Sequence, residues 1–144
     1  MCLETIFKIK STIVFLKTIH SKLSGNILDI GCGDGHYTSL LAGKVKHGQV
    51  LGIDSSEQMI MHANQQWART GLSFEVHNIE EFHQPQSFDL ALSFWCLHWT
   101  NIHISFPNIF QSSKKGRQIV CCYVFLFRSQ HFANLERIGQ TKPV

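Results

Sequence analysis

Residues 27–54 read ILDIGCGDGHYTSLLAGKVKHGQVLGID, and this stretch decides the fold. An apolar run at Asn26–Ile30 has the length of a short strand. Glycines follow at 31, 33 and 35, then a helical stretch carrying Leu40, Leu41 and Val45 that Gly48 ends. A second apolar strand, Gln49–Ile53, runs into Asp54. Strand, glycine turn, helix and strand in this order are the opening unit of a parallel α/β sheet. Glycine in such a turn permits positive φ and lets a ligand approach where a Cβ would clash.

Working outward, Ser55-Ser56-Glu57 predicts the N-cap of a helix through Met59, Ile60, Ala63 and Trp67, closed by Gly71. Leu72–His77 predicts a third strand, with Phe74 and Val76 alternating against Ser73 and Glu75. Glu80-Glu81-Phe82 reads as a brief turn ended by Pro85, and Phe88–Phe94 as a fourth strand. Residues 101–113 are weakly helical and interrupted by Pro107. Lys114-Lys115-Gly116 then turns into Gln118–Phe127, a fifth strand with no polar face, as in strands covered on both sides. Ser129–Ile138 reads as a further helical start. Upstream, Ile6, Ile9, Ile13 and Leu16 mark the buried stripe of an amphipathic helix. The expected fold is α/β and Rossmann-like: a mostly parallel sheet of about five strands with helices on both faces. One domain spans 1–144, with an N-terminal helix in 1–24, a core in 25–127 and a tail in 128–144. Ligands of such sheets bind beyond the carboxyl ends of the strands, where strand order reverses.

Composition narrows the function. In 144 residues, 44% hydrophobic and 16% charged content is ordinary for a globular domain. The net charge of +3 is mild, and Lys114, Lys115 and Arg117 form the one short basic cluster, so no nucleic-acid footprint is expected. Cys2, Cys32, Cys96, Cys121 and Cys122 are odd in number and lack C-x-x-C spacing. That favours a reducing, cytoplasmic setting over disulfides or zinc. The nine histidines show no H-x-x-x-H pattern, and His98 and His103 are not helical neighbours, so no metal is expected. Near the N-terminus the longest apolar run is Ile13–Leu16. It is too short for a signal core of about 7 residues or a span of roughly 20, so no membrane partner is expected.

The glycine spacing carries the chemistry. A dinucleotide fingerprint needs its third glycine at position 36, where this chain has His36. G-x-G-x-G with Asp29 two residues upstream is the variant suited to S-adenosylmethionine. That ligand carries a sulfonium and an amino acid in place of a pyrophosphate, so Asp29 and Asp34 sit favourably beside a cation. Asp54 follows Gly31 by 23 residues, where a carboxylate grips a ribose diol. The competing job for Asp54, capping the next helix, is one that Ser55 and Ser56 can perform unaided.

ILDIGCGDG, VLGIDSSEQMI, FEVHNIEEF and FDLALSFWCLHWTN, in this order, resemble the motifs of class I S-adenosylmethionine-dependent methyltransferases. The last, with His98-Trp99 after an apolar strand, is similar to a subgroup acting on small carboxylic acids. That subgroup includes juvenile hormone acid, trans-aconitate and malonyl-carrier-protein O-methyltransferases. The resemblance covers about residues 25–127 and implies methyl transfer from S-adenosylmethionine to a small-molecule acceptor. By position it implies Gly31, Cys32 and Gly33 along the methionine part, with Asp54 on the ribose hydroxyls and Ser55 and Met59 near the adenine. Asn78 and Ile79 would meet the adenine edge and face, Ser93 and Phe94 the methionine and its methyl, and His98 and Trp99 the acceptor. Met59 has core packing as its competitor, and Trp99 a packing role in the loop. A free imidazole titrates near 6.5 and would serve as a base. A carboxylate acceptor is already ionised, however, so His98 is expected to bind or to brace.

The family sheet ends in an antiparallel hairpin, for which this sequence has no counterpart, and the turn before strand five lacks the family's proline and paired glycines. Strand five is then expected as an open apolar edge, a template for a dimer or a partner chain. The alternative reading is an inactive, truncated domain that binds the cofactor or a protein.

Overall fold

The computed structural model describes residues 23–94 and 96–122, with side chains to Gly116. The expected N-terminal helix, the tail and the end of strand five from 123 lie outside the described residues. In chain order the elements are β1 (Leu23–Ser24), β2 (Ile27–Ile30), α1 (His36–Ala42), β3 (Val45–His47), β4 (Val50–Asp54), α2 (Glu57–Trp67) and β5 (Leu72–Val76). After a loop come β6 (Phe88–Phe94), a single 3-10 turn (Leu97–Trp99), α3 (Ile102–Ser112) and β7 (Ser113–Cys122).

Every residue of β2 is buried, because β2 lies at the centre of a five-stranded sheet of order β5-β4-β2-β6-β7. Each neighbouring pair is parallel, with Ile27 opposite Val50 and Leu90, and Ile30 opposite Ile53 and Ser93. Side-chain alternation splits the core in two. Ile27, Val50, Leu72 and Phe74 pack with Leu41 of α1 and Ile60 and Ala63 of α2. On the other face Leu28, Ile30, Leu51 and Ile53 pack with Ile79, Phe82, Leu97 and Ile109 of α3. Each fully buried aliphatic side chain contributes about 1.5–3 kcal/mol. Within the five-stranded sheet the path begins at β2, steps out to β5 and returns on the far side as β6. The reversal leaves a crevice at the carboxyl ends of β2 and β6.

Several local expectations are corrected. Val45 is not helical: α1 stops at Ala42, and the next residues form β3, paired in parallel with β1 in a separate two-stranded ribbon. The bonds from Leu23 N–H to the Lys44 carbonyl and from Gly25 N–H to the His47 carbonyl draw that segment out of the helix. Gly71 does not close α2, whose C-cap is extended Ala68; it turns into β5 instead (φ +84°). Val76 is exposed at the end of β5, an edge strand among the described residues. Lys114–Gly116 is not a turn before the last strand but lies within it. Leu90 of β6 pairs with Gln118 while Phe88 pairs with Ser113, so the extra residues bulge at Gly116 (φ +73°). Lys114 meets Asp89 at 2.7 Å.

Pro107 removes one helical bond without ending α3. Asn101 caps the start by accepting from His103 N–H, and Asn108 Nδ2 donates to the carbonyls of Ile79 and Glu80. No helix among the described residues is long and apolar enough to cross a membrane.

The third glycine of the turn works for the fold. Gly35 precedes α1 at φ +77°, and a Cβ there would lie 2.8 Å from the Ala63 methyl and the Phe74 ring. Gly35→Ala therefore combines backbone strain with overpacking and should destabilise by about 1–3 kcal/mol. A thermal melt should show Tm several degrees lower; an unchanged Tm would discard this role.

Candidate functional site

The turn after β2 is pinned to the end of β4. Gly31 and Cys32 both donate their N–H groups to the Ile53 carbonyl, at 2.8 and 3.0 Å. Gly33 N–H donates to Asp54 Oδ2 at 3.0 Å, and Asp54 Oδ1 accepts from Ser56 N–H at 2.9 Å. Ser56 is the N-cap of α2, its hydroxyl accepting from Met59 N–H. Asp54 thus has the helix-start role weighed against the ribose one, and it also braces the glycine turn, a bond the sequence did not announce. A carboxylate offers about four acceptor positions, so two remain beyond those backbone bonds.

Gly33 has φ +56°, and a Cβ built on it would meet nothing within 4 Å. It faces a cleft of about 660 Å³ at the carboxyl ends of the strands. Asp29, Gly31, Cys32, Gly33 and Asp34 line it from β2 and its turn, and Tyr37 from α1. Asp54, Ser55, Asn78 and Glu80 form one end, and Phe94, Cys96, Trp99 and Thr100 the other. A smaller hollow of about 50 Å³ shares Asp54, Ser55 and Asn78 and adds Ile79 and His77.

The electrostatics are one-sided. Asp29, Asp34, Asp54 and Glu80 all reach the cleft, and no Lys, Arg or His is among the described residues lining it. Burial drives the Asp29 carboxyl from 3.8 up to about 6; Asp54 adds to the rise, while the hydroxyl of Thr38, donating at 2.7 Å, opposes it. Burial, with Asp29 and Asp54, also pushes the Cys32 thiol well up. Burial and the same two acids push Cys96 to about 11. Neither thiol is therefore a thiolate nucleophile at neutral pH. A pyrophosphate would face carboxylates with no cation among the described lining residues. A ligand carrying positive charge and a diol fits: open backbone at Gly33, spare acceptor positions on Asp54, and further acids nearby.

Of the expected site residues, Asp29, Gly31, Cys32, Gly33, Asp54, Ser55, Asn78, Phe94 and Trp99 come together in the cleft, and Ile79 in the adjoining hollow. Met59 is 45% exposed on α2, not in the core, and is not among the described lining residues. Ser93 is buried, its hydroxyl donating to the Ile30 carbonyl as a strut between β6 and β2. His98 is exposed on the 3-10 turn, its ring 4.9 Å from that of Trp99, and it too is not among the described lining residues. Sequence reading missed Tyr37, Glu80, Cys96 and Thr100 as cleft residues, and Thr38 behind Asp29. Glu80 alone left a trace, as an acid following Asn78; its carboxylate accepts from Asn101 N–H at 2.8 Å, joining the two loops of the cleft. Among the described residues no three of His, Cys, Asp or Glu gather to hold a metal.

Comparison with known proteins agrees with this geometry. The methyltransferase domain family matches residues 27–116. Juvenile hormone acid O-methyltransferase of Bombyx mori is 31% identical over 127 residues, 84% of this chain and 45% of that protein. Trans-aconitate 2-methyltransferase of Deinococcus radiodurans is 39% identical over 77 residues, 54% of this chain and 29% of that protein. The crystal structure of an S-adenosylmethionine dependent methyltransferase from Mesorhizobium loti superposes with a TM-score of 0.67 at 29% identity, covering 75% of this chain and 50% of that one. The chain spans less than half the length of these curated relatives. It belongs to the methyltransferase domain family, among the class I S-adenosylmethionine-dependent methyltransferases, whose cofactor is S-adenosylmethionine.

Asp29 makes the fold itself sensitive to pH. Its folded value of about 6 lies above its ordinary 3.8, so the unfolded chain gives up this proton first. The stability Asp29 contributes is whole below about pH 4 and is lost as pH rises to about 6, on the order of 3 kcal/mol in all. Urea unfolding of the ligand-free chain across that window should show the decline, and Asp29→Asn should flatten it. An equal slope in the variant would remove Asp29 as its source.

Proposed function

We propose that this member of the methyltransferase domain family binds S-adenosylmethionine in the cleft and takes part in methyl transfer to a small carboxylic acid. The observation that carries the reading is the bond from Gly33 N–H to Asp54 at 3.0 Å. It brings the open glycine and the strand-end acid together in a cleft lined by carboxylates. The acceptor class is supported by the activities for which two relatives are named, on juvenile hormone acid and on trans-aconitate.

In this reading the cofactor supplies a sulfonium-bound methyl group for transfer. Asp54 accepts the two ribose hydroxyls while bracing Gly33 and the start of α2. Gly31, Cys32 and Gly33 present backbone along the methionine part, and Asp29 offers negative charge to its cationic end. Ser55 and Met59 lie toward the adenine, Asn78 against its edge and Ile79 against its face. Phe94 and the strand end held by Ser93 flank the methionine, and Trp99 and His98 stand on the acceptor side. An ionised carboxylate needs no proton removed, so rate comes from aligning it with the methyl–sulfur bond. His98 then binds or braces. The outer edge of β7, which pairs with β6 alone among the described residues, is the place for a partner strand.

Calorimetric titration with S-adenosylmethionine and S-adenosylhomocysteine tests the claim. The folded chain should bind both, and Asp54→Asn should weaken binding by about 1.5–3 kcal/mol through loss of a charge-assisted bidentate contact. No binding by the folded wild type would refute the cofactor reading; unchanged affinity in the variant would remove the ribose role alone.

A further inference from the structure

Thr38 has no exposed surface, yet it is polar. An isosteric valine would fill the same space without a hydroxyl to satisfy. The hydroxyl makes one described bond, in which Oγ1 donates to Asp29 Oδ2 at 2.7 Å. Asp29 is itself only 4% exposed, but it lines the cleft. In register it sits between Gly52 of β4 and Leu92 of β6, and neither offers a side-chain donor. The ionisable groups coupled to it are an acid and two neutral thiols. Asp54 from β4 acts on it, and Cys32 of the glycine turn and Cys96 after β6 feel its charge. Asp34 of the same turn lines the cleft as a further acid. Among the described residues, then, no cation orients this carboxylate. A single hydroxyl on the first turn of α1 does.

We infer that Thr38 is a positioning residue for the cofactor: by holding Oδ2 of Asp29 it fixes the carboxylate and leaves Oδ1 to meet positive charge in the cleft. The inference rests on the reading of the cleft as the S-adenosylmethionine site. Thr38 also opposes the effect of burial, which raises the Asp29 carboxyl to about 6. The hydroxyl thus helps to keep Asp29 ionised near neutrality. A cationic ligand prefers that form, so affinity should rise with pH through the Asp29 transition and then level off. Loss of the hydroxyl should both weaken binding and move the midpoint of this rise upward.

The test is calorimetric titration of the full chain with S-adenosylmethionine from about pH 5 to pH 8, on wild type, Thr38→Val, Thr38→Ala and Thr38→Ser, with melts to establish folding. Thr38→Val should bind about three- to ten-fold more weakly near neutrality, with its midpoint at higher pH. Thr38→Ser, which restores the donor, should recover both. If Thr38→Val does not fold, Thr38→Ala against Thr38→Ser makes the same comparison. A hydroxyl-free variant with wild-type affinity and midpoint overturns the inference and leaves the cofactor reading standing. So does a Thr38→Ser chain as impaired as Thr38→Val, since the residue would then act by packing. A folded wild type that binds no S-adenosylmethionine overturns both.

Discussion

Three consecutive amides, those of Gly31, Cys32 and Gly33, are held by two residues at the end of the neighbouring strand. Two donate to the Ile53 carbonyl and the third to the Asp54 carboxylate. This clamp joins β2 and β4 where they stop being a sheet, and the rest of the site depends on it. It holds the backbone of Gly33 against open space. It sets Asp54 on the rim of the cleft, and through Ser56 it starts α2. A glycine turn without that partner would be flexible, and Asp54 without those amides would be an ordinary surface acid.

Charge gives the clamp its selectivity. Four acids face one cleft at the carboxyl ends of the central strands, an arrangement that favours cationic ligands and disfavours phosphates. Asp29 lies deepest, and its burial is offset in part by the Thr38 hydroxyl. The glycines divide the remaining work. Gly33 leaves space open, whereas Gly35 allows α2 and β5 to approach α1 closely. The same G-x-G-x-G pattern therefore serves binding at one position and packing at another.

Much of the architecture was legible because it rests on short-range pattern. β2, β4 and β6 announced themselves as apolar runs and β5 as an alternating one, and the buried pattern of β2, β4 and β6 matches central parallel strands. What was misread lies where distant backbone overrode local preference. Val45 had helical spacing, but β1 captured it as a strand. Lys114–Gly116 had turn composition, but pairing with β6 absorbed it as a bulge. Tyr37, Cys96 and Thr100 follow no spacing rule that singles them out as cleft residues. They reach the cleft because α1 and the loop after β6 converge there.

The sequence by itself determined the fold class, the glycine turn and Asp54, because each is encoded by residue type at fixed separation along one strand–turn–helix unit. Only the tertiary structure decided which side chains share the cleft. It showed that the turn amides and Asp54 form one clamp, that Ser93 braces two strands, and that Thr38 stands behind Asp29. The physical reason is that periodicity records which face of an element is buried. Which distant group that face meets is set by strand order, and strand order is fixed by the packing of the whole sheet.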